Sequence, residues 1–177
     1  MTAVRFNPFE DRLSRDIRND LSESIIEVLT DRAIEPAETI ATGYLKTNLP
    51  QIYTDYIDQR LSRYTAALTK LSEKSNLLSQ AAVLWDLKLF FEVHEILEPQ
   101  WMTADGDQKR LLQALIRAAG VYINLELNYL PRAEKIAAKA LPVLRELQDE
   151  LARELKVANL IEALETLSMP PPQLSLP

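Results

Sequence analysis

The residues best able to do chemistry gather in one stretch, Phe90 to Trp101, which reads FFEVHEILEPQW. It holds His94, the sole histidine of the chain, together with Glu92, Glu95 and Glu98. At ~100° per residue His94 and Glu98 share one helical face and are able to touch. An imidazole beside a carboxylate is material for general acid–base catalysis. The spacing also approaches HExxH, in which two histidines four apart bind zinc and the glutamate acts as base. Here the second histidine is absent and the chain has no cysteine. No metal site and no cofactor are therefore expected, because nothing completes a zinc shell and too few inward acids are placed for Mn or Fe. A metal-dependent or acid–base hydrolase using His94, Glu95 and Glu98 stays open as the alternative function.

The residues around this motif say how it is held. On an ideal helix from about Leu77 to Glu98, residues Leu87, Phe90, Phe91, Leu97 and Trp101 gather on one side around His94 and Glu98. Trp85, Leu89, Val93 and Ile96 form a second apolar face, leaving Lys88, Glu92 and Glu95 as a narrow wet strip. A helix apolar on both broad faces is buried between neighbours. His94 and Glu98 are thus expected inside the protein or at the floor of a cleft, where a carboxylate needs a cation or several donors. The next helix, Gln108 to about Asn128, offers Arg110, Gln113, Arg117, Asn124 and Asn128 within one arc. A short turn at Thr103–Asp107, with Asp107 as N-cap, makes the two helices antiparallel neighbours. This places Arg110 or Arg117 near Glu98 and Gln113 near His94. Such a buried His–Glu–Arg cluster fixes helix packing at some cost in stability. The other reading makes it the lining of a ligand or interaction cleft.

Two blocks of sequence together resemble the DUF309 family of small all-helical proteins. The first is Phe91-Glu92-Val93-His94-Glu95 with Glu98 and Trp101; the second is Leu112-Gln113-Ala114-Leu115-Ile116-Arg117-Ala118-Ala119, preceded by Arg110. The resemblance spans about Leu77 to Leu144 and implies a compact helical bundle, with no accepted substrate, cofactor or catalytic residue. The chain departs from the family's usual pattern at Arg117, where glutamine is common, and at Asn124, where many members carry a second histidine. Pro99 replaces a helix-forming residue, and its missing N–H is expected to kink or end the helix there.

The rest of the chain supplies the scaffold. Residues 1–8 read as a loose arm ending at Pro8. Leu13, Ile17, Leu21, Ile25 and Val28 recur at helical spacing from Phe9 to about Ala33. Pro36 suits the first turn of a short helix. After Pro50, Ile57, Leu61, Tyr64, Leu68 and Leu71 make a short heptad-like seam, read as a face packed on the rest of the protein, with dimerisation as the minority use. Ser72–Asn76 is a polar break. Pro131 opens a further helix, which Pro142 should bend, running to about Leu155; a last one covers about Asn159 to Leu167. The expected fold is all-α, a compact bundle of five to seven helices with an N-terminal helical extension. Its divisions are 1–75, an extension packing on the core; 76–168, a DUF309-like domain; and 169–177, a Pro-rich tail expected to be disordered.

Composition narrows the function. A net charge of −6 argues against non-specific nucleic-acid binding. No apolar run approaches the ~20 residues of a membrane span, and the N-terminus lacks a secretory h-region. The absence of cysteine suits a reducing cytoplasm. The expected protein is a helical interaction or accessory module, partnered by another protein or by a second copy through its N-terminal helices.

Overall fold

The structure, a computed structural model, describes residues 5–177. Among these there are nine helices and no strand, where five to seven helices were expected. The chain divides into two compact units, Met1–Lys70 and Leu71–Pro177. Among the described residues no helix is long and apolar enough to cross a membrane.

The first unit holds α1 (Arg12–Asp31), α2 (Glu35–Leu45) and α3 (Gln51–Lys70). Its core is Ile17, Leu21, Ala41 and Ile57, with Phe6, Leu13, Tyr44, Tyr53 and Leu61 packed around it. The apolar stripe of α1 is fully buried at Ile17, Leu21, Ile25 and Val28. The expected loose arm falls partly on residues 1–4, outside the described residues, and its remainder is not loose. Phe6 stacks on Tyr56 with ring centroids 3.7 Å apart. Asn7 is buried, and its backbone N–H donates to Ser14 Oγ at 3.2 Å. Asp11 caps α1, accepting from the Ser14 N–H at 2.7 Å. Bonds from Ser14, side chain first, hold the Asp11 carboxyl below its usual 3.8. On α3 the packed face is Ile57, Arg60, Tyr64 and Ala67, and Tyr64 donates its hydroxyl to the Leu21 carbonyl at 2.9 Å.

The second unit holds α4 (Leu77–Asp86), α5 (Phe90–Thr103), α6 (Gly106–Glu126), α7 (Leu130–Glu146), α8 (Gln148–Leu151) and α9 (Val157–Thr166). Here α4 packs on α5, α5 on α6 and α6 on α7, while α8 and α9 close against α7. Asn76, inside the expected polar break, caps α4 by accepting from the Ser79 N–H at 2.8 Å.

The expected continuous helix Leu77–Glu98 is two helices. Lys88 turns left-handed at φ 57°, and the Leu89 N–H bonds back to the Leu84 carbonyl at 2.9 Å. This six-to-one closure satisfies carbonyls that the end of a helix leaves orphaned. The same closure ends α1 at Arg32, α6 at Asn128 and α9 at Leu167, all with positive φ. None of the four residues is glycine, the usual choice for such a turn, so no composition signal marked the break. Pro99, expected to kink or end its helix, does not end it, and Pro142, expected to bend its helix, lies inside it. α5 continues to Thr103 and α7 to Glu146, and the stretch expected to carry α7 on to Leu155 is interrupted at Leu147 before α8.

The tail lacks helix and strand but is packed down, not disordered. Trp85 Nε1 donates to the Pro172 carbonyl at 2.9 Å, and the Tyr122 hydroxyl donates to that of Ser168 at 3.1 Å. The Leu174 and Ser175 N–H groups donate to the two Asp86 carboxylate oxygens at 2.6 and 3.1 Å. The Lys156 N–H donates to the Leu174 carbonyl, and the Leu174 side chain is only 3% exposed.

Two substitutions test this framework by urea denaturation. Lys88→Gly should relieve up to ~1–2 kcal/mol of the left-handed penalty that a Cβ imposes, whereas the β-branched Lys88→Val should destabilise further. Asp11→Ala should cost ~1 kcal/mol by uncapping α1. Because its folded pKa is lowered, the Asp11 contribution is present above the ordinary carboxylate range and disappears as pH falls through the depressed value.

Candidate functional site

The break at Lys88 decides which way the motif of α5 faces. Once α5 starts afresh at Phe90, the buried residues are Phe90, Glu92, Val93, Ile96 and Leu97. Glu92, expected on the wet strip, is 0% exposed. His94, expected inside, has a side chain 41% exposed, with 21% for Glu95. Glu98 and Trp101 are half-buried. The inward acid is thus Glu92, and the histidine lies on the face toward solvent. The missed signal was local: the phase carried over from α4 does not survive a left-handed turn.

On that outer face His94, Glu95 and Glu98 come together. One ligand atom from each lies within 4.8 Å of the others, and His94 Nδ1 stands 3.8 Å from a Glu95 carboxylate oxygen. One imidazole nitrogen and two carboxylate oxygens form a donor set acceptable to Zn, Mn or Fe. The same face, with its two acids, also suits a cationic group offered by a partner.

The residues of α6 do not complete the expected cluster. Arg110 is exposed and pairs with Asp107 at 2.7 Å and with Glu146 of α7 through both guanidinium nitrogens. That pairing raises the Arg110 pKa and holds the Glu146 carboxyl below its usual range. Asp107 is not the N-cap of α6. Asp105 takes that position, and Gly106 follows at φ 54°. Arg117 and Gln113 are half-buried, and no hydrogen bond or ion pair joins either to Glu98 or His94. Asn124 is 5% exposed and donates Nδ2 to the Gly120 carbonyl one turn back at 2.7 Å, while its Oδ1 has no hydrogen-bond partner. Trp101 carries the Lys109 ammonium 5.3 Å from its ring centroid.

Sequence reasoning passed over two other features of this unit. Trp85, Phe90 and Tyr122 form an aromatic trio with centroids 5.0 to 5.5 Å apart. Burial pushes the Tyr122 hydroxyl up to about 12. A separate open cleft of about 400 Å³ is lined by Leu77, Leu78, Leu111, Leu112, Glu150 and Glu154, among others, and contains none of the site residues read from the sequence.

With this geometry in place, the class is an all-helical protein whose second unit presents a His–Glu–Glu face. Residues 78–135, about a third of the chain, match the family model described as "Domain of unknown function (DUF309)". That match spans most of α4, all of α5 and α6, and the start of α7, ending short of the Leu144 limit read from the sequence. No curated protein and no solved structure matched the chain.

Tyr122 gives a pH signature. Its folded pKa lies above the unfolded value of 10.0, so its contribution to stability is fully present below pH ~10 and is lost as pH rises toward about 12. Denaturation between pH 9 and 12 should show a shallower alkaline loss for Tyr122→Phe than for the parent protein.

Proposed function

We propose that this protein is a cytoplasmic helical binding module, accessory and not catalytic, whose working face is His94, Glu95 and Glu98 of α5. The observation that supports this reading is the convergence of the three groups within 4.8 Å on a half-exposed face. Arg110, a cation expected beside Glu98, is engaged by Asp107 and Glu146 instead. An acidic face of this kind takes a basic side chain from a partner protein. A homodimer through the first unit would have to use what α3 leaves exposed, because Ile57 and Tyr64 of its seam are 0% exposed.

A second reading is favoured by the same three groups, since a divalent ion held by them would keep open positions for water or substrate. That is the arrangement of a metal-dependent hydrolase. Elemental analysis and calorimetric titration with Zn, Mn and Fe(II) separate the two. On the binding-module reading, the purified protein carries no stoichiometric metal, and Glu95→Gln/Glu98→Gln lowers native co-purification of a partner at least tenfold. Stoichiometric metal that disappears in His94→Ala would replace this reading with the metal-dependent one. Unchanged partner recovery in the double variant would remove the α5 face from the function.

A further inference from the structure

The surface under the C-terminal tail has the construction of a peptide site. Trp85, Phe90 and Tyr122 pack edge-on and stacked against one another, and Trp85 and Tyr122 are 2% and 0% exposed. Trp85 and Tyr122 each offer a polar atom outward to a main-chain carbonyl of the tail, Trp85 Nε1 to Pro172 and the Tyr122 hydroxyl to Ser168. Beside them Asp86 receives two successive main-chain N–H groups, one on each carboxylate oxygen. A carboxylate at the C-terminal end of a helix opposes the helix dipole. Its two bonds to the tail explain its presence at the end of α4.

These contacts read the backbone of a segment without helix or strand, and one side-chain position, Leu174, is buried at 3% exposure. Prolines suit the segment because they donate no N–H and lose little freedom when held extended. Pro-rich segments are recognised elsewhere by aromatic grooves with ring donors for their carbonyls. The tail remains at the surface: Met169, between the anchors at Ser168 and Pro172, and Leu176, beyond the last anchor, are 52% and 43% exposed. The three residues that bond the tail, Trp85, Asp86 and Tyr122, lie within the matched segment 78–135, whereas the tail lies outside it. The tail is an occupant supplied by this chain from outside that segment.

We propose that this groove is a binding site for an extended proline-rich segment of a partner protein with a Pro-x-Leu core. The tail's own Pro172-Gln173-Leu174 holds the site in cis. The site is separate from the His94 face and does not depend on its role. A tethered occupant acts at an effective concentration of order mM, so a peptide in trans competes poorly until the tail is released.

The test uses the full chain with the tail anchor broken, Leu174→Asp, and a synthetic peptide of the parent sequence 168–177 as probe. The ¹⁵N–¹H resonance of the Trp85 indole, assigned with Trp85→Phe, should shift when the anchor is broken. It should return toward its parent position on saturable addition of the peptide, with at least tenfold weaker binding to the parent chain and to Leu174→Asp/Asp86→Asn. No return at several mM peptide, or equal binding of a scrambled peptide, would overturn the proposal. Should Leu174→Asp lose its helical circular dichroism, Leu174→Ala with the same peptide decides by the same two outcomes.

Discussion

The left-handed turn at Lys88 is the constraint on which the second unit depends. It closes α4 through the Leu89–Leu84 bond and lets α5 begin with its own rotational phase. Because helical side chains advance ~100° per residue, a break of a few residues reassigns every face of the next helix. Glu92 goes into the unit, His94 comes out, and Phe90 is set against Trp85 and Tyr122. Three features of the unit, its buried acid, its outer His–Glu–Glu face and its aromatic trio, depend on that single turn.

The two polar constructions of this unit differ in how they are stabilised. At the tail, ring donors and a carboxylate make directed bonds to main-chain carbonyls and N–H groups. Buried polar atoms are kept in native structures when they are satisfied in this way. The α5 face differs: two carboxylates and an imidazole lie close together at partial exposure. Arginine, the residue that would have neutralised them, is directed elsewhere, for the Arg110 fork matches the Glu146 carboxylate across to α7. The first arrangement is completed within the chain, and the second faces outward.

The helix breaks were hidden for a specific reason. Left-handed closures at Arg32, Lys88, Asn128 and Leu167 occur without glycine, so the usual mark of a helix end is missing at all four. The prolines do not mark helix ends: α5 passes through Pro99, where a kink or an end was expected, and α7 contains Pro142, as expected of a proline read as lying inside its helix; tertiary packing can hold a helix together where local preference would end it.

The sequence by itself determined the all-helical class, the stripe of α1, the polar break that ends at Asn76 and the resemblance of one segment to the DUF309 model. These are local matters, legible because 3.6-residue periodicity, polar punctuation and short motifs are written along the chain. Tertiary structure alone decided that Glu92 and not His94 is buried, that Arg110 pairs with Glu146, and that the tail lies on Trp85 and Asp86. Each of these depends on residues far apart in the chain or on the phase of a helix after a turn, and neither is encoded in local spacing.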